Sequence, residues 1–123
     1  MKTKLTILTL LSGLMTLSAV AANAAPGAAI SITNNTGKST WVTIYNFAES
    51  IRDSGCVNPG ETKTFYNYFG PIQYSVRGEV TQGARCGGNV ISDSRVSVSV
   101  PLNVGADVSV EQDVNHHYYL QKH

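Results

Sequence analysis

The chain reads as an all-β protein: a small antiparallel β-sandwich of immunoglobulin-like type held by one disulfide, with a small β-barrel as the alternative. Three observations predict it. Apolar and polar residues alternate strictly over Ile72–Val80 and Arg95–Val100, the signature of half-buried strands. Strand-like runs separated by turn residues recur about every ten to fifteen positions. Two cysteines, Cys56 and Cys86, follow a segment with the features of an export signal.

That segment comes first in the chain. Lys2 and Lys4 give it a positive start, Leu5 to Val20 form an apolar run, and Ala22-Asn23-Ala24 supplies the small residues a signal peptidase cuts after. Ser12, Gly13, Thr16 and Ser18 interrupt the run, which argues against a membrane span. Residues 1–24 are therefore expected to be a cleaved signal peptide, and residues 25–123 a single domain. With no cysteine near the cut, a lipid anchor is not expected, and the destination is the periplasm or the outside.

Strands are expected over Ala28–Thr33, Ser39–Phe47, Thr62–Tyr68, Ile72–Val80, Arg95–Val100, Ala106–Val110 and His117–Leu120. In the fourth, Ile72, Tyr74, Val76 and Val80 share one face and Gln73, Ser75, Arg77 and Glu79 the other. In the fifth, valines alternate with serines, and Pro101 ends the run. Asn34-Asn35-Thr36-Gly37 suits a hairpin turn with positive φ, Pro59-Gly60 a type II turn, and Gly70-Pro71 another break. Ala48–Asp53 is the one stretch that suits a helical turn, and it is too short to change the fold class. Trp41 precedes both cysteines, so the antibody-domain order of Cys, Trp, Cys is absent.

Two cysteines alone in an oxidising compartment imply one intrachain bond, here between turn-rich segments. Without the signal, Lys38, Arg52, Lys63, Arg77, Arg85, Arg95 and Lys122 face eight acids. The bases lie singly along the chain, so neither nucleic acid nor stable membrane insertion is expected of the mature protein.

Catalytic sets fail for lack of parts. The histidines His116, His117 and His123 crowd the C-terminus and no GxSxG elbow occurs. Gly83, Gly87 and Gly88 lack the Lys-Ser/Thr of a phosphate loop, and of Glu49, Glu61 and Glu79, from which a carboxylate pair could be drawn, Glu79 reads as a solvent-face strand residue. Asp113, His116 and His117, preceded by Asp107 and Glu111, are the nearest approach to a metal set, but adjacent histidines on a strand point opposite ways. Asn34-Asn35-Thr36 matches a glycosylation sequon, but in a chain with a bacterial style of signal it reads better as a turn. No enzyme activity, metal or cofactor is expected.

The aromatics remain. Along Trp41–Phe47 both faces of the strand are apolar, and Phe65–Phe69 is nearly all aromatic. Amphipathic rings left over from a core stack on sugars or anchor protein partners. Trp41, Tyr45, Tyr66 and Tyr68 are thus the expected contact residues of an exported, non-catalytic binding protein. Its partner would be a protein or an envelope glycan, with inhibition of an enzyme as one form of recognition. The alternative is a structural or assembly subunit whose strand edges pair, although Ala25–Ala28, short and carrying Pro26, lacks the pattern of a donor strand.

Overall fold

The computed structural model describes residues 28–68, 72–101 and 104–123, with Asn67 through its backbone alone; the expected signal peptide and the Gly70-Pro71 break lie outside them. Eight strands form: β1 Ala28–Asn34, β2 Thr40–Tyr45, β3 Ile51–Val57, β4 Thr62–Tyr68, β5 Ile72–Thr81, β6 Val90–Val100, β7 Ala106–Gln112 and β8 Tyr118–Lys122. They make two four-stranded sheets, ordered β4-β1-β7-β8 and β3-β2-β5-β6, so the sandwich is present. The pairing departs from the expected antiparallel pattern once, where β1 runs parallel to β7.

Alternation along each strand builds the core. Ile30 and Ile32 from β1, Val108 and Val110 from β7, and Leu120 from β8 meet Val42 and Ile44 from β2, Tyr74, Val76 and Val80 from β5, and Val98 and Val100 from β6. All are buried. The valine and tyrosine rows read from the sequence therefore face this core, and Ile72, at the end of its row, is 37 % exposed. Gly78 lies on the inner face of β5, and a Cβ there would come 2.9 Å from Leu120 Cδ2. The bare backbone lets the two sheets approach closely at that point.

Three local expectations are corrected. Residues 51–57 form an edge strand rather than continuing a helical turn from Ala48; the pattern hid it because Ile51 and Arg52 are exposed and Val57 alone is buried. Cys56 accordingly sits on a strand, opposite Trp41, and not in a loop. Finally, β6 begins at Val90, five residues before its alternation becomes visible, because Val90 and Ile91 are both exposed.

The disulfide Cys56–Cys86 is formed, with Cα atoms 5.9 Å apart, and ties β3 to the loop between β5 and β6. The Asn34 turn has no positive φ, whereas Gly60 does, at +77°, in a turn closed by Glu61 N–H donating to the Asn58 carbonyl at 2.9 Å. Asn34 is fully buried. Its Nδ2 donates to the carbonyls of Lys38 and Val57 at 2.7 and 2.9 Å, and its Oδ1 accepts from the Thr36 N–H and hydroxyl at 3.0 and 2.8 Å. An amide so saturated closes the β1–β2 turn and leaves no room for a glycan in the folded protein.

Candidate functional site

β2 sends Val42 and Ile44 into the core and so presents Trp41, Thr43 and Tyr45 on the outer face of the second sheet. Trp41 is 39 % exposed and Tyr45 half-buried, while Thr43 between them is buried. The neighbouring strands surround this row with charge. Glu79 and Arg77 of β5 stand opposite Trp41 and Thr43, and Asp93 and Arg95 of β6 stand opposite Glu79 and Arg77. Arg77 forks onto Asp93, Nε to Oδ1 at 2.9 Å and Nη2 to Oδ2 at 2.6 Å, and reaches Glu79 at 3.5 Å. Those bonds hold the Asp93 carboxyl below the ordinary carboxylate range. Arg95 lies 4.3 Å above the centre of the Tyr45 ring and pairs with Glu49 in the β2–β3 turn. The face is an aromatic row inside a frame of self-neutralised ions.

Tyr66 stands elsewhere. It is 69 % exposed on β4, an edge strand of the other sheet. Outer faces of a two-sheet sandwich look in opposite directions, so the fold brings Trp41 and Tyr45 together and does not add Tyr66 to them. Tyr68 is a correction. It is fully buried, its ring edge-on to Tyr74 at 4.8 Å, and belongs to the core rather than to a contact surface. A β-bulge explains it: Ala28 and Ile30 of β1 pair with Tyr68 and Phe65 of β4, so an extra residue on β4 turns both rings inward.

Among solved structures, the chain is similar to the NMR structure of a protein from Eubacterium rectale, at 12 % identity and a TM-score of 0.59, over 79 % of this chain and 88 % of that one. That likeness concerns the fold. No family model and no curated protein matches the chain.

The sequence reading left Phe47, Ile51 and Arg95 out of the site. Phe47, on the β2–β3 turn, is 78 % exposed, and Ile51, which opens β3 opposite Tyr45, is 64 % exposed. Asn46 is the signal that was available: its Oδ1 accepts from the N–H groups of Ala48 and Ser50 at 2.9 and 3.0 Å, which ends the strand and turns Phe47 outward. Arg95 reaches Tyr45 through the register of three strands, for which no local signal exists.

The C-terminal residues serve structure. Asp113 Oδ1 accepts from the N–H groups of Asn115 and His117 at 2.8 and 2.9 Å, capping the β7–β8 turn and lowering its own pKa, His117 first. Among the described residues, no three His, Cys, Asp or Glu groups gather as a metal set would. Ser109 Oγ and His123 Nε2 lie 2.8 Å apart, the spacing of a nucleophile and its base. Ser109 is 3 % exposed, however, and its hydroxyl also engages Glu111, so the contact fastens β8 to β7.

Proposed function

We propose that the chain is an exported, non-catalytic binding protein that recognises a protein or envelope-glycan partner through the outer face of β2, β5 and β6. Obstruction of a foreign enzyme is one form this recognition takes. The observation that carries the reading is the pairing of Trp41 and Tyr45 on one outward row, framed by Arg77–Asp93 and Arg95–Glu49. Rings supply apolar area at little entropic cost, and charges already paired within the face need not be stripped of water singly when a partner docks. The N-terminal Lys2, apolar run and Ala22-Asn23-Ala24, with a disulfide, support export to the periplasm or beyond. Among the described residues, no helix is long and apolar enough to cross a membrane. An immunoglobulin-like assignment of the sandwich rests on its two packed sheets with turns at both ends, and belongs to this proposal.

A second reading, as an assembly subunit, has one observation behind it. β6 is an eleven-residue edge strand with Val90 and Ile91 exposed at 50 % and 47 %, and an open edge can pair with another chain. Lys122 Nζ, bonded to the Ser97 carbonyl at 3.2 Å, obstructs that edge in part, which favours recognition.

Trp41 is the chain's one tryptophan, so its fluorescence reports directly on the proposed face. Titration with purified envelope glycan and with fractionated envelope proteins is expected to shift Trp41 emission for one class and leave the other silent. A partner that binds Trp41→Ala as tightly as wild type overturns the assignment of this face. Concentration-dependent self-association abolished by Ile91→Lys favours the assembly reading.

A further inference from the structure

Where the β1–β2 turn, the β3–β4 turn and the β5–β6 loop meet at one end of the sandwich, they enclose a cleft of about 260 Å³. Lys38, Ser39, Asn58, Gln82 and Arg85 supply its polar side chains, and no acid lines it. The nearest carboxylate in these turns, Glu61, already accepts from the Asn58 N–H at 2.8 Å. We propose that this cleft is an anion-binding site that takes a single carboxylate or phosphate group of a ligand.

The argument begins with unmatched charge. Arg77 and Arg95 are paired with acids on the sheet face. Lys38 and Arg85 have no such partners: the Lys38 ammonium touches the Gln82 carbonyl at 3.4 Å, and the Arg85 guanidinium has no hydrogen-bond or ion-pair partner among the described residues. Two cations sharing one concavity repel each other, and an anion between them relieves that repulsion while satisfying their free N–H groups. The Asn58 amide adds a donor, because its Oδ1 is taken by the Ser39 hydroxyl at 3.2 Å and its Nδ2 has no hydrogen-bond partner among the described residues.

The cleft walls are also fixed. Ser39 is clamped by Thr81, whose N–H and hydroxyl donate to its carbonyl at 2.9 and 3.2 Å. Arg85 and Cys86 hold left-handed backbone, φ +54° and +60°, conformations that L-residues avoid unless their surroundings impose them. The bond from Cys86 to Cys56 anchors that loop to β3. Size narrows the ligand: the volume falls below the roughly 300–1,000 Å³ of pockets that enclose a whole small molecule, so the cleft fits one terminal group. Neither Trp41 nor Tyr45 lines the cleft, and the site stands whether or not the aromatic face binds.

The test is a ¹H–¹⁵N titration of the oxidised protein near pH 7 with sodium phosphate and with sodium acetate, against sodium chloride at matched ionic strength. Saturable shifts are expected at the amides of Lys38, Ser39, Gln82 and Arg85, and at least tenfold weaker binding in Lys38→Gln/Arg85→Gln at an unchanged melting midpoint. Trp41→Ala is expected to bind the anion as wild type does. Tighter binding of phosphate identifies a phosphate-bearing ligand, and tighter binding of acetate a carboxylate. Shifts that match those of chloride, or that spread evenly over Arg52, Lys63 and Lys122, overturn the proposal. Undiminished binding in the double variant, or in Arg85→Ala alone, does the same.

Discussion

The Tyr68 hydroxyl donates to Asp53 Oδ2 at 2.6 Å, joining β4 at the rim of one sheet to β3 at the rim of the other. Arg52, on the same strand as Asp53, sits 5.0 Å above the Tyr68 ring. A ring that looked like part of a binding surface thus latches the open side of the sandwich.

Burial, aided by the bond to Asp53, pushes the Tyr68 phenol well above its ordinary value. A group whose folded pKa is raised stabilises the fold below its unfolded pKa of about 10 and loses that contribution as pH rises. In an alkaline absorbance titration of the six tyrosines, Tyr68 is expected to ionise last, with the melting midpoint falling above about pH 10. Tyr68→Phe is expected to cost about 1–3 kcal/mol by leaving Asp53 without its donor. A variant as stable as wild type removes the latch.

The disulfide closes a 30-residue separation, for which chain entropy gives a stabilisation of about 3.5–4 kcal/mol. Reduction is expected to lower the denaturant midpoint accordingly, and intact mass to rise by the two hydrogens of one bridge. Two free thiols in protein purified from an oxidising compartment refute the pairing.

Val98 is 2 % exposed and its neighbour Ser97 points to solvent. Val98→Ala is expected to cost about 1–3 kcal/mol and Ser97→Ala nearly nothing, since the bond from Lys122 goes to the Ser97 backbone. Equal losses in denaturant melts mean that β6 is in the other register.

The aromatics separate by partner loss and stability loss. Trp41→Ala is expected to weaken partner binding by about 1–3 kcal/mol with little change in melting, while Tyr66→Ala, on the opposite face, leaves that binding intact. Binding lost in Tyr66→Ala and kept in Trp41→Ala moves the contact surface to β4.

What the sequence made legible followed local alternation. Val96, Val98 and Val100 against their serines placed the core half of β6, and Tyr74, Val76 and Val80 placed β5. What it hid depended on neighbours. Ile51–Val57 has no alternation because an edge strand is held by its backbone ladder to β2, and Val90 and Ile91 are exposed on both faces of another edge. Tyr68 was assigned to the surface because strict alternation puts it beside Tyr66, and a bulge against Ala28 and Ile30 overrides alternation. Arg85 looked like one scattered base until the loop that carries it was bonded to Cys56 beside Lys38 and Asn58.

The parallel pairing of β1 with β7 sets an order of events for the nascent molecule. β2 with β3, and β5 with β6, zip between chain neighbours, but Ile30 finds Ala106 only near the chain's end. Contacts this distant in sequence form slowly, on the scale of milliseconds to seconds. Under the export proposed above, a polypeptide threaded through a translocation pore with its N-terminus leading would not complete the first sheet until β7 emerged. It would pass through loose and become rigid on arrival.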